Sequence, residues 1–217
     1  MRAVPATAAA LALLAVTAGA GTAPGAAAEE SRVVDAAVAS MRGALVTLSD
    51  VALARALGLF GLERSDGPIT PAEVTQYVNA RLAVREADQL AVKVSAEDVA
   101  RAWEAAGGGA LAGRLEAVGI DPGWARRLME DDLQLKRFVE LRFQAFAFVS
   151  EPEVDEALGP GPHGDAARRA ARERLRDERA GNALAEWTDE ARGRAGIRAL
   201  ADGPWPAPFS LAPGPAR

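Results

Sequence analysis

Two short apolar runs containing β-branched residues, 33–38 (VVDAAV) and 44–48 (ALVTL), flank Met41-Arg42-Gly43 and predict a small β-hairpin. The second run stops at Ser49-Asp50, which can cap a helix over 51–57. Residues 58–67 read as a loop whose Leu59, Phe60 and Leu62 are apolar enough to pack. Thr70-Pro71-Ala72-Glu73 is a strong helix start: Thr70 accepts from the third helical amide, Glu73 reaches back, and Pro71 occupies the first turn, where no donor is needed. The stripe Val74, Tyr77, Val78 and Leu82 gives that helix one buried face, with Asn79 and Arg81 on the solvent side.

The helical pattern continues. Ser95 caps a helix with Asp98 at its third position, and Gly107-Gly108-Gly109 ends it. A short helix follows over 110–118. Asp121-Pro122 opens a long helix expected to reach about residue 149, with Trp124, Leu128, Leu135, Val139, Phe143 and Phe146 on one stripe. Met129, Leu133, Phe138, Leu141 and Phe148 line the neighbouring faces, so this helix should be covered on several sides. Ser150-Glu151-Pro152-Glu153 starts a short helix to 158, and a Gly/Pro loop spans 159–164. With Asp165 as cap, a helix over 166–192 then shows a solvated first half and a docking face only at Leu184, Trp187 and Ala191. Residues 196–200 (GIRAL) read as a last short strand, and the Pro-rich tail 201–217 as disordered or loosely docked. The expected fold class is mainly α: a multi-helix domain with a small β-hairpin or sheet and strand-like segments near both ends.

Composition narrows the function classes. The chain carries no cysteine, which excludes disulfides, thiol catalysis and cysteine-ligated metals. With 25 basic against 30 acidic side chains the net charge is −5, a poor match for nucleic acid. At the N-terminus, Arg2 precedes an apolar run over about 6–18, a Gly/Pro stretch over 19–25, and Ala26-Ala27-Ala28 before Glu29-Glu30. This is the pattern of a secretory signal peptide, 1–28, cleaved after Ala28. The run is shorter than the roughly 20 residues a membrane-spanning helix needs, and no cysteine is present for lipidation, so no membrane anchor is expected.

Catalytic constellations do not emerge. The single His163 sits in the Gly/Pro loop and reads as an exposed loop residue, since one imidazole supplies neither a metal set nor a base with an orienting partner. The clusters Glu130/Asp131/Asp132 and Glu29/Glu30 read as solvated helix surface and cleavage-site flank. Gly107-Gly108-Gly109 lacks the preceding strand and following Lys-Ser/Thr of a phosphate loop. The aromatic run Phe138, Phe143, Phe146 and Phe148 admits two readings, as core beneath the hairpin or as part of a surface for unfolded chains. Leu57, Leu59, Phe60 and Leu62, lying in a loop rather than a periodic stripe, form the better exposed candidate for polypeptide binding, with Phe138, Phe143 and Phe146 as further candidates.

In order and texture the chain resembles the N-terminal domain of SurA-type periplasmic chaperones. The resemblance is carried by 33–35 (VVD), 46–50 (VTLSD), 90–99 (LAVKVSAEDV) and 149–154 (VSEPEV). It covers roughly 33–158 and 175–200. In that family the chain next enters one or two parvulin-type prolyl isomerase domains and then returns as a helix and strand that complete the N-terminal domain. Here 184–200 (LAEWTDEARGRAGIRAL) resembles the closing segment, with Trp187, Ile197 and Leu200 as apolar anchors. The loop 159–165 stands where relatives carry the isomerase, so that activity is not implied. The resemblance implies a chaperone domain over 29–158, completed by 166–200, that holds unfolded outer-membrane or secreted polypeptides in the periplasm, with no enzyme activity and no cofactor. The alternative is an envelope assembly or scaffold subunit with one specific protein partner.

Overall fold

The computed structural model describes residues 35–211, and these fall within one compact unit. The expected signal peptide lies outside the described residues. The fold is mainly helical with a small antiparallel sheet, as the pattern of apolar positions implies. In chain order the elements are β1 (Ala37–Met41), β2 (Ala44–Thr47), α1 (Leu48–Leu57), α2 (Pro71–Gln89), α3 (Ala96–Ala105), α4 (Gly108–Ala117), α5 (Pro122–Arg142), α6 (Glu151–Leu158), α7 (Asp165–Ala195) and β3 (Arg198–Ala199).

The hairpin turns on Arg42 and Gly43, both at positive φ (50° and 84°) between the paired Met41 and Ala44, the two-residue geometry that suits the right-handed twist of a hairpin. Among the described residues the first strand starts at Ala37, inside the 33–38 run, whose Val33 and Val34 lie outside the described residues. Thr47, the last residue of β2, caps α1: its hydroxyl accepts from the Asp50 amide at 3.2 Å, and the Asp50 carboxylate accepts from the Thr47 amide at 2.9 Å. Asp50 is therefore the reciprocating third residue of the helix, and α1 begins three residues before the sequence-based expectation. Gly58 ends it in the left-handed region, with the Leu59 amide donating to Ala54 and the Gly58 amide to Arg55.

The sheet order is β2-β1-β3, so the strand nearest the C-terminus pairs with the first strand. Ala199 lies opposite Ala39, Arg198 opposite Ser40, and the Leu200 amide donates to the Val38 carbonyl at 3.1 Å. Trp187 and Ile197 pack with Met41, Leu82, Ala191 and Ala195, which brings the closing helix and strand onto the hairpin and α2 of the same chain. Leu200 holds on through its backbone only; its side chain is exposed, so it is not an apolar anchor. The buried face of α7 is built of small residues, Ala171, Ala180, Ala191 and Ala195, together with Thr188. Ala180 meets Ala83 and Ala87 of α2 in one cluster, where the absence of bulky side chains suits close approach.

The main core lies between the hairpin, α1, α2, α4 and the first half of α5. A second cluster joins α2, α5 and α7 around Phe138, Phe143 and Trp187, whose rings meet edge-on or tilted at 5.5–6.3 Å. The first half of α7 carries a satellite cluster of Val149, Val154 and Ala171 flanked by Leu158 and Leu175, reinforced by Arg168 to Glu151 and Asp155, Arg172 to Glu151, and Arg179 to Glu153. The half expected to be solvated therefore docks α6. Helix α5 stops at Arg142 instead of reaching 149, because the apolar spacing changes there: Phe143 turns inward while Phe146 and Phe148, two apart, leave the helical stripe for a 3-10 turn and an extended segment.

Of the two readings of the tail, the described residues 201–211 take the docked one: Trp205, Phe209 and Leu211 pack against the main core, and Trp205 forms a β-bridge with Ile69. One further expectation is corrected. His163 is half-buried, not exposed, and its Nε2 donates to the Gly159 carbonyl at 3.0 Å, closing the 159–164 loop on itself.

Arg55, 2 % exposed, props up the turn before α2: its guanidinium donates to the carbonyls of Gly67 (2.7 Å) and Pro68 (3.1 Å) and to Glu73 (3.3 Å). Burial alone would raise the Glu73 pKa, but the Thr70 amide and hydroxyl and the Arg55 charge together hold it below the usual carboxylate value of 4.5. The folded state thus binds the proton less readily than the unfolded chain, so this contribution is present above pH 4.5 and is lost as pH falls through the lower folded value. Glu73→Gln should cost about 1–2 kcal/mol at pH 7 and flatten the acid-side loss of stability, read from urea midpoints across pH 3–7. Phe138→Ala, which empties a position only 1 % exposed, should cost about 3–5 kcal/mol by the same measurement, whereas Phe146→Ala should cost less than about 0.5 kcal/mol.

Candidate functional site

An open groove of about 1070 Å³ lies between the α3 entry segment and the exposed side of α5. Its apolar surface comes from Leu133, Leu135 and Val139 of α5, Val94 before α3, Leu184 of α7, and Phe60 of the loop after α1. A second recess of about 310 Å³ shares Phe60, Leu135 and Leu184 and continues between α2 and α7. The two recesses flank the same three side chains.

Local chemistry explains each placement. The long helix α5 carries apolar residues on more faces than the core can cover, so Phe138 goes inward while Leu133, Leu135 and Val139 remain partly open. Phe60 is positioned by its backbone rather than its neighbours in sequence. It sits at φ 58°, unusual for a bulky residue; its amide donates to Oδ1 of buried Asp132 at 2.7 Å, and its carbonyl accepts from Nε2 of Gln76 at 3.0 Å. Its ring meets Tyr77 edge-on at 5.6 Å.

The rim is charged and mostly matched in pairs, with exposed Lys93 standing outside them. Arg101 pairs with Asp98 and Glu97 (3.0 Å each), Arg137 with Glu140 (2.5 Å), and exposed Lys136 with Oδ2 of Asp132 (2.7 Å). The Ser95 hydroxyl, with help from Arg101, holds the Asp98 carboxyl below its ordinary value. Chemically the arrangement offers apolar contact flanked by mostly satisfied charges. Among the described residues no group of three or more His, Asp or Glu side chains is placed to hold a metal ion. No helix among them is long and apolar enough to cross a membrane.

The seven residues expected to bind polypeptide are scattered by the fold. Leu57, Leu59, Phe60 and Leu62 are all buried, correcting the expectation of an exposed loop: the segment is apolar because it is core. Phe138 and Phe143 are buried in the aromatic cluster with Trp187, the core alternative of the two readings. Phe146 stands out from the surface at 80 % exposure, next to Phe148 at 77 %. Of the seven, Phe60 alone lines the groove. The groove's own Leu133, Val139 and Leu184 were visible only as an excess of apolar positions on α5 and a late apolar face on α7. Glu130/Asp131/Asp132, expected as solvated surface, also divide: Asp131 pairs with Arg81, and Asp132 is buried as the Phe60 acceptor.

No protein-family model matches the chain, and no curated protein matches it.

Asp132→Ala should cost about 1–3 kcal/mol, because it leaves the buried Phe60 amide without an acceptor, while Lys136→Ala, touching only the exposed side of the same carboxylate, should change stability by under about 1 kcal/mol. Denaturant midpoints of the two variants check the difference; equal effects would mean that the ion pair, not the amide bond, holds the loop.

Proposed function

We propose that this chain is an exported, ATP-independent chaperone-like protein that holds non-native polypeptides in the α3/α5/α7 groove and has no prolyl isomerase activity. The observation that carries the reading is the groove itself: wide, open, apolar along its floor and flanked by charges most of which, Lys93 apart, already have partners. Such a surface binds through non-directional apolar contact and tolerates many sequences. The resemblance to SurA-type N-terminal domains adds support through the pairing of β3 with β1, which is what a domain interrupted between α6 and α7 requires. The six-residue loop 159–164 then stands where those relatives insert a catalytic domain. A second reading, an envelope scaffold with one specific partner, draws on Phe146 and Phe148, whose exposed rings suit a fixed protein contact.

Leu133 separates the two readings, since it lines the groove yet belongs to none of the buried clusters. The wild-type protein should suppress aggregation of a chemically unfolded client at a few-fold molar excess. Leu133→Glu should weaken that activity about tenfold with the thermal midpoint kept, and Leu141→Glu, exposed and outside the groove, should leave it intact. Unchanged aggregation at several-fold excess of wild type, with one stoichiometric partner retained from envelope extract, gives the scaffold reading instead.

A further inference from the structure

The segment after β3 is seated as a ligand would be. Residues 201–211 (ADGPWPAPFSL) run over the body as an irregular strap, bent at 201, 203 and 208 and bridged at Trp205. The Trp205 amide donates to the Ile69 carbonyl at 2.9 Å, the Ile69 amide donates to the Trp205 carbonyl at 2.7 Å, and the Ser210 hydroxyl donates to Asp66 at 2.7 Å. Gly203 lets the indole fold back over the strap, because a Cβ there would lie 2.6 Å from the Trp205 ring. This is the backbone pairing plus side-chain anchoring by which an extended peptide joins an exposed edge.

The receiving surface is built independently of its occupant. Ile69, 0 % exposed with the strap in place, is set on the turn that the buried Arg55 guanidinium grips from behind through the Gly67 and Pro68 carbonyls. Val74 and Val78 belong to α2 and Leu57 to α1, all anchored in the main core. The occupant is held less firmly. Trp205, Phe209 and Leu211 are each only partly buried. Space remains at both ends of the strap, about 310 Å³ beside Trp205 and about 340 Å³ beside Leu211. A segment with few buried side chains and one β-bridge belongs to the low-stability end of a fold, whereas its Arg55-braced seat does not.

We infer that the surface around Ile69 is a polypeptide-binding site distinct from the groove, occupied in cis by the chain's own tail. Its ligands are extended, proline-spaced segments presenting a Trp and a Phe four residues apart. The tail acts as a competing pseudo-ligand, so the site's apparent affinity for a segment in trans is reduced by the fraction of time the strap is closed. This site does not depend on the groove reading.

The test uses the full chain and a fluorescent peptide of residues 201–211, followed by anisotropy. Trp205→Ala/Phe209→Ala in the protein weakens the strap without touching its seat and should bind the peptide about tenfold more tightly than wild type. A peptide carrying Trp205→Ala should not bind. Because the chain has no cysteine of its own, Asp66→Cys/Ser210→Cys places a single disulfide where those side chains already meet. Oxidised, this variant should refuse the peptide; reduced, it should accept it. Were the strap-weakened protein to lose its fold by circular dichroism, the oxidised and reduced pair decides alone. Equal affinities in the two redox states, or no gain over wild type in a folded strap-weakened variant, would overturn the inference and leave the tail a fixed part of the core.

Discussion

The backbone of Phe60 is held from both sides, its amide by the buried carboxylate of Asp132 on α5 and its carbonyl by Gln76 on α2. An irregular segment cannot enter a core unless its backbone polar groups find partners, since each one left unmatched in a dry environment costs on the order of 1–3 kcal/mol. The loop between α1 and α2 carries Leu59, Phe60 and Leu62 inward, and side chains from two helices supply what no secondary structure there can. The same bonds fix where α5 stands against α2, and with it the spacing that leaves Leu133 and Leu135 facing outward into the groove. Asp132 thereby links the core's most irregular segment to the site's floor.

Closure at the other end follows a different rule. Helix α7 docks through alanines, which contribute little transfer free energy apiece but suit close approach to Ala83 and Ala87. Trp187 adds the larger apolar body, and β3 completes the sheet by backbone pairing. The domain is thus assembled from distant parts of the chain, and the first half of α7 with α6 can carry a separate, ion-paired cluster without disturbing the main core.

Local signals were legible in the sequence where they are short-ranged. The Thr70 capping box, the Val74/Tyr77/Val78/Leu82 stripe and the Ser95 and Asp121 starts all stand as read, because each needs partners within a few residues. The helix start at Thr47 was missed for a competing local choice: Ser49 and Asp50 both look like caps, and the reciprocal Thr47–Asp50 bonding wins by satisfying two amides. What the sequence hid were partners far along the chain. Nothing near Phe60 announces Asp132, 72 positions away, so an apolar loop read as exposed surface. Likewise the Pro-rich composition of 201–211 argues for disorder only if Ile69 is ignored. Alanines on α7, too small to stand out as an apolar stripe, mark its buried face.

The charges around the groove explain how such a site could be permissive. Each exposed rim pair is worth roughly 0.2–1 kcal/mol and is screened by salt, so a ligand that displaces one loses little and a ligand that ignores it loses nothing. Had the rim offered unpaired charges in a dry pocket, binding would demand a matching group at a fixed position, and the site would select one partner. On the proposed reading, a rim of mostly paired, solvated charges around an apolar floor makes the opposite choice, leaving affinity largely to contact area. The strapped surface at Ile69 differs in kind, because a backbone bridge and an indole seat impose direction and register on whatever lies there. On the two proposed readings, one body presents a surface that reads mainly apolar area beside one that also reads chain geometry, and the second is the one the chain covers with itself.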